Sequence, residues 1–188
     1  MTREVCISTE AGEFVAHFSE RGLARIDFPD RKQVGGRSEL RIQKPFCSQL
    51  STRTPLNSLA FSPEFGHWAE LAANALRAAL AGKPVGGLPP FDWRGATEFQ
   101  QSIWRALLRI PSGHTSTYSG LAAAAGHPRA VRAAGSACGA NPIPVLVPCH
   151  RVVASGGRLG GFSAGLEWKR RLLALEGVEF PQLREVLS

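Results

Sequence analysis

Residues 117–138 read TYSGLAAAAGHPRAVRAAGSAC, and this stretch decides the fold of the second half of the chain. Leu121 and the four alanines after it form one short helix. Gly126-His127-Pro128 then break the chain, because proline lacks an amide proton and restricts the residue before it. Arg129 to Cys138 resume as a second helix. Two short helices joined by a tight glycine-containing turn give the outline of a helix-turn-helix. Ala130, Ala133, Ala134, Gly135 and Ala137 let the second helix lie close against another surface. Close helix packing inside the protein is the competing reading.

Working outward, Thr97-x-x-Gln100 is a capping-box pattern that opens a helix. Phe99, Ile103 and Leu107, with Trp104 and Leu108, follow at helical spacing until Pro111-Ser112-Gly113. Downstream, Asn141-Pro142-Ile143-Pro144 is non-helical. Val145-Leu146-Val147 reads as a short buried strand that Pro148 stops, presenting Cys149. Ala154 to Gly161 is a glycine-rich loop, and a last helix is expected from about Ala164 to Glu176. In the first half, alternating runs at 13–18 and 23–28 flank Ser19-Glu20-Arg21-Gly22, a hairpin signal. Residues 30–60 read mostly as loop, with a strand near 39–43. Ser62 and Pro63 open a helix that carries Trp68, Leu71, Ala72, Leu76 and Leu80, and Gly82 ends it. The Pro- and Gly-rich stretch 83–95 places a boundary between two domains, 1–90 and 91–188. The fold class expected is α+β.

Charge is concentrated in the second half. Between Glu98 and Glu167 there is no acidic residue, but there are six arginines: Arg105, Arg109, Arg129, Arg132, Arg151 and Arg158. Residues 1–98 are nearly balanced. An acid-free segment with spaced arginines suits a polyanion such as nucleic acid, and a solvated basic face is the bland alternative. No apolar stretch is long enough to cross a bilayer, and no secretory signal is visible, so a cytoplasmic protein is expected. Cys6, Cys47, Cys138 and Cys149 form no Cys-x-x-Cys pair. All four are expected to be reduced, with Cys6 and Cys47 as small buried hydrophobes.

Cys149 stands in Val147-Pro148-Cys149-His150-Arg151. A thiol attacks well only as thiolate and needs a base or positive charge nearby. His150 is adjacent, but neighbours on a regular strand face opposite ways. The pair cooperates only if the chain turns at Pro148 or a water bridges it. The base needs an orienting carboxylate in turn, and Glu167 and Glu176 on the last helix are the candidates. A metal site lacks further ligands at suitable spacing. A cysteine hydrolase needs a separate histidine and an oxyanion hole, and nothing ties His114 or His127 to Cys149.

Residues 97–177 resemble the O-6-alkylguanine-DNA alkyltransferases. The resemblance rests on Phe99-Gln100-Gln101 with Trp104-Arg105-Ala106-Leu107, on Thr117-Tyr118-x-x-Leu121-Ala122, and on Arg132-Ala133-x-Gly135. It continues through Asn141-Pro142-x-Pro144, Pro148-Cys149-His150-Arg151-Val152-Val153 and Leu172-Leu173-x-x-Glu176-Gly177. Order and spacing agree throughout. The first half resembles the family only loosely.

The resemblance implies an RNase H-like N-terminal unit and a winged-helix-like C-terminal one. It implies direct, irreversible transfer of an alkyl group from the oxygen at position 6 of guanine, or position 4 of thymine, to Cys149. His150 would be the base through a water, Glu176 its orienting partner, and Asn141 the hinge before the active-site loop. Tyr118 would assist the departing guanine. Arg132 would fill the space of the flipped nucleotide, with Arg129, Ser119 and Ala133 also at the DNA. Val152, Ser163, Pro144, Cys138 and Ala164 would line the base pocket. The implied partner is double-stranded DNA bound by a monomer, with no cofactor and no membrane. Cys6 and Cys47 lack evident partners for the zinc some members hold, so no metal is expected. A binding module that recognises alkylated guanine without accepting the group is the main rival, and Cys149 argues against it. A plain DNA-binding regulator leaves Pro-Cys-His-Arg unexplained. Two departures stand out. Ala164 follows Phe162-Ser163 where many members have glycine, and its methyl narrows the pocket. Cys138 replaces a larger apolar residue and adds a second thiol.

Overall fold

The structure, a computed structural model, describes residues 2–29 and 63–179. The strand expected near 39–43 lies outside them. Among the described residues the architecture is mixed α and β, with a small antiparallel sheet and five α-helices.

Among the described residues the first half carries three strands, one more than the hairpin expected. β1 (Arg3–Thr9), β2 (Gly12–Ser19) and β3 (Gly22–Asp27) pair antiparallel in that order. Alternation puts Ile7, Phe14, Ala16 and Phe18 on the buried side, and a register shift between β2 and β3 brings both Leu23 and Ile26 to it. α1 (Pro63–Leu80) covers them through Phe65, Ala69, Ala72, Leu76 and Leu80. The apolar stripe is turned from the one expected, since Trp68 and Leu71 are only half-buried. Each large side chain so buried contributes about 2 kcal/mol. Cys6 is disulfide-bonded, which corrects the expectation of a reduced thiol.

The outer edge of β3 organises the rest. Leu23 exchanges backbone hydrogen bonds with Pro90 and Asp92, both at 2.8 Å. A β-carbon on Gly22 would lie 2.0 Å from the Pro90 carbonyl, so only glycine lets these chains meet. Further along the same edge, Ile26 N–H donates to Pro142 O at 2.9 Å. The sheet therefore holds the segment that leads to Cys149. Trp168 extends the contact, with Phe28 at 4.9 Å and Phe14 at 5.6 Å between ring centroids. One apolar core runs from Ile7 to Leu172.

In the second half, α2 (Glu98–Leu108) begins with the expected capping box. Thr97 Oγ1 accepts from Gln100 N, and Gln100 Oε1 accepts from Thr97 N. β4 (Ser116–Thr117) leads into α3 (Tyr118–Ala124), and α4 (Val131–Gly139) follows. Trp104 Nε1 donates to Ala137 O at 2.8 Å and fixes α4 on α2. β5 (Val152–Val153) pairs parallel with β4. α5 (Leu166–Leu175) starts later than expected, because Gly165 has φ +98°.

The strand expected at Val145-Leu146-Val147 is instead a buried tight turn. Pro142 and Pro144 remove two donors. The Asn141 side chain fills the gap, taking Ile143 N at 3.0 Å and giving to Val147 O at 2.8 Å. Val145 is thereby held at φ +74°, a region that costs a β-branched residue on the order of 1–3 kcal/mol.

Candidate active site

Pro148 ends that turn, and Cys149–Arg151 form one turn of 3-10 helix. The strand objection disappears, because consecutive residues here do not alternate between faces. Cys149 and His150 are both buried, at 5% and 1% exposure. His150 Nε2 lies 3.0 Å from Glu176 Oε1, at the C-terminal end of α5. A carboxylate only accepts, so Nε2 carries the proton and Nδ1 keeps its lone pair. Nδ1 is buried and makes no hydrogen bond to the protein. Of the two candidate carboxylates, Glu176 is at the histidine. Glu167 pairs instead with Arg170 at 2.6 Å.

Arg151 holds Glu176 in place, a task the sequence reading did not assign. Its Nη2 lies 2.7 Å and its Nε 3.0–3.1 Å from the carboxylate, while Nη1 donates to Ile110 O at 2.6 Å. Burial by itself raises the Glu176 carboxyl. The hydrogen bonds from His150 and Arg151, with the positive charge of Arg151, outweigh it and bring it down to about 2. Burial lowers His150 below its ordinary value, and Glu176 only partly opposes this. At neutral pH the imidazole is therefore an uncharged base. Burial pushes the Cys149 thiol up, against the pull of Asn141, Lys169 and nearby backbone. The thiol is protonated at rest and requires that base.

Lys169 is the second missed residue. It is fully buried on α5, and its ammonium donates to Val152 O at 2.6 Å and Gly161 O at 3.1 Å. Burial brings it down to about 8. The available signal was its spacing: Lys169, Leu172 and Leu173 share the core-facing stripe of the helix. Cys138 on α4 points its Sγ at the Cys149 carbonyl, 3.9 Å away, and burial pushes that thiol up to about 12.

Tyr118 opens α3 and lies between two glycines. A β-carbon on Gly135 would meet its ring at 3.7 Å, and one on Gly160 would meet its hydroxyl at 2.9 Å. Burial raises the Tyr118 hydroxyl above its ordinary value, and the nearby Gly161 backbone partly opposes this. Thus Cys149, His150, Glu176, Asn141, Val152, Cys138 and Tyr118 converge. Pro144, Ser163, Ala164 and Asn141 line a neighbouring open cleft of about 450 Å³, together with Arg25, Ile26 and Asp27 of β3 and the adjoining Phe28. Cys149 does not line this cleft. Arg129, Arg132, Ala133 and Ser119 are not at the thiol; they are exposed on the two-helix surface. The arginine count overstated the free charge there. Arg151 is consumed by Glu176, and Arg109 caps the Ala124 carbonyl at the end of α3.

A family model described as the DNA-binding domain of 6-O-methylguanine DNA methyltransferase matches residues 98–178. The methylated-DNA–protein-cysteine methyltransferase of Methanosarcina barkeri is 47% identical over 173 residues, 90% of this chain and 94% of that protein. The protein of that name from Mycobacterium tuberculosis is 42% identical over 127 residues, 64% of this chain and 76% of that one. Among solved structures, M. tuberculosis OGT in complex with DNA aligns with a TM-score of 0.65 and 32% identity, covering 91% of this chain and 90% of that chain. The O6-methylguanine-DNA methyltransferase of Pyrococcus kodakaraensis aligns at 0.56 and 27%, covering 95% and 100%. With 47% identity across 90% of its length, joined to this arrangement of thiol, imidazole and carboxylate, the chain belongs to the methylated-DNA–protein-cysteine methyltransferases.

Proposed function

We propose that this protein repairs DNA by moving a methyl or larger alkyl group from O-6 of guanine, or O-4 of thymine, onto Sγ of Cys149. The observation that carries the reading is the buried line of Cys149, His150 and Glu176, in which the free imidazole nitrogen is Nδ1. Base flipping comes first, because the alkylated oxygen is out of reach in a stacked duplex and extrusion costs a few kcal/mol. Arg132, with Arg129, Ser119 and Ala133 beside it, is exposed on the surface that would face the duplex. Its side chain fills the gap the base leaves.

The chemistry is a displacement at the alkyl carbon. The thiol proton passes to His150, through a water. Sulfur forms the new C–S bond as the C–O bond breaks, and the departing guanine is protonated with help from Tyr118. The products are a thioether and ordinary guanine. Nothing in the site hydrolyses a thioether, so one molecule acts once. Val152, Ser163, Pro144, Cys138 and Ala164 border the base, with the Ala164 methyl limiting bulky adducts. Within this reading, residues 1–90 form an RNase H-like support, and residues 91–188 a winged-helix-like unit that binds DNA and accepts the alkyl group. The protein acts as a cytoplasmic monomer.

The test is the intact mass of the protein after incubation with duplex DNA carrying O-6-methylguanine. A gain of one methyl, mapped to Cys149, is expected. No gain, or a gain that persists in Cys149→Ser, refutes the assignment. If there is no gain at all, a binding module without transfer remains the alternative.

A further inference from the structure

The Glu176 carboxylate is held by His150 and Arg151, and the backbone that carries it is held from elsewhere in the chain. The first-half helix α1 closes with two backbone bonds, from Gly82 N to Ala79 O at 3.2 Å and from Lys83 N to Ala78 O at 2.9 Å. That pair is the Schellman arrangement, and it puts Gly82 at φ +65°. Capping explains the dihedral, and an asparagine would serve nearly as well, since it tolerates the left-handed region. Capping does not explain what the glycine faces. A β-carbon on Gly82 would stand 2.6 Å from the carbonyl oxygen of Leu175, the last residue of α5 and the neighbour of Glu176.

α5 closes in the same way, with Gly177 N bonded to Ala174 O and Val178 N to Leu173 O, both at 3.0 Å. Those bonds take the carbonyls of Leu173 and Ala174. The next two carbonyls in the chain each face a glycine. Leu175 O faces Gly82, and Glu176 O faces Gly113, at φ +77°, where an added β-carbon would stand at 3.3 Å. Gly113 belongs to the loop after α2, and Arg151 holds that loop through the Ile110 carbonyl. Two segments distant in sequence thus meet the backbone around Glu176, each through a residue without a side chain.

We infer that Gly82 is a positioning residue for alkyl transfer: its missing side chain lets the end of α1 seat against the Leu175 carbonyl, and so sets where Glu176 meets His150. The inference rests on the alkyl-transfer reading above. Ordinary contact begins near 3.4 Å, so any side chain at Gly82 parts the two backbones by about 0.8 Å. Glu176 is the next residue along, and its contacts of 3.0 Å to His150 and 2.7 Å to Arg151 have little slack for such a displacement. An error of about 1 Å at a reacting site costs on the order of a hundredfold in rate. Gly113 is the milder half of the same seat, because 3.3 Å asks for only a small adjustment. The seat lies between the ends of α1 and α5, whereas the surface assigned to DNA is α4 and the turn before it. A defect at Gly82 therefore acts on the transfer step and not on DNA affinity.

The experiment uses the full chain and duplex DNA with one O-6-methylguanine. Quenched mass spectrometry across protein concentrations gives the rate of methyl transfer at saturation and the half-saturating concentration. Gly82→Asn keeps the left-handed cap and adds a β-carbon, so capping alone predicts transfer as in wild type. The seat predicts a saturated rate at least about tenfold lower, with half-saturation within about twofold. The second readout is the NMR signal of the His150 Nε2 proton, expected to move upfield as its hydrogen bond to Glu176 lengthens. A saturated rate less than about threefold below wild type overturns the inference, as does an equal loss in affinity or an unmoved proton signal. If wild type gains no methyl, the alkyl-transfer reading fails, and the proton signal alone decides the seat. If Gly82→Asn lacks a native circular dichroism spectrum, Gly113→Asn is measured instead. It is expected to slow transfer about threefold and move the same signal upfield, and an unmoved signal overturns the inference.

Discussion

Replacing Glu176 by glutamine tests the site most directly. The substitution preserves size, but removes the charge that Arg151 and His150 both engage. The carboxylate side chain is 9% exposed and Arg151 13%, so solvent screens the pair little. Holding the carboxyl at about 2 rather than 4.5 corresponds to roughly 3 kcal/mol of stabilisation at pH 7. Removing one partner of a buried pair costs about 3–5 kcal/mol by an independent route, because Arg151 is left uncompensated. Both arguments give a loss of about 3 kcal/mol. The sign with pH follows from the direction of the displacement. The folded value lies below the unfolded one, so the stabilisation is complete above 4.5 and is lost as pH falls toward 2. Near pH 3.5 about 2 kcal/mol of it remains. Urea unfolding of both proteins, followed by tryptophan fluorescence at pH 7 and pH 3.5, measures the gap. Methyl transfer is expected to slow about tenfold or more, since a neutral amide no longer stabilises the imidazolium that forms when His150 takes the thiol proton. A gap below about 1 kcal/mol at pH 7, or one that does not shrink on acidification, refutes the reasoning.

Asn141→Ala leaves Val147 O and Ile143 N–H unpaired in the interior, an expected loss of about 3 kcal/mol in urea unfolding. Retention of full stability would show that the turn does not depend on that side chain. Gly135→Ala places a methyl in ordinary contact with the Tyr118 ring, at 3.7 Å, and improves helix propensity. Its thermal unfolding free energy should rise by about 0.5–1 kcal/mol, and a decrease would mean that Tyr118 tolerates no neighbour there. Burial holds His150 below 6.5, so the uncharged base persists down to that pH. Transfer is expected to be level from about pH 8 to 6.5 and to fall only below it. A rate that climbs about tenfold per pH unit across this range would show a preformed thiolate reacting instead.

Local chemistry was legible in the chain wherever it is self-contained. The capping box at Thr97 and Gln100, the break at Gly126-His127-Pro128 and the hairpin turn after Ser19 each act within a few residues, so spacing reveals them. Cys149 and His150 could be picked out because Pro148 forces a turn. The resemblance, in turn, singled out Glu176, and the structure places it 3.0 Å from His150. The turn at Val145 was read as a strand, because three apolar residues look alike in either. What decides between them is an Asn141 side chain that reaches two backbone groups. Arg151 and Arg109 were counted as free charge, since a sequence does not say which carbonyl or carboxylate an arginine will meet.

Residue order by itself determined which helices form, where they stop, and which thiol stands beside a base. These follow from backbone dihedrals and nearest neighbours. Only the tertiary structure decided which imidazole nitrogen is free, which carboxylate serves it, and that Lys169 lies in the interior. It also decided that β3 holds Pro142, and so ties the first half of the chain to the acceptor turn. The physical reason is range. Hydrogen bonds and desolvation act over a few ångströms in space, and the groups involved here are separated by 26 residues between His150 and Glu176, and by far more between Ile26 and Pro142.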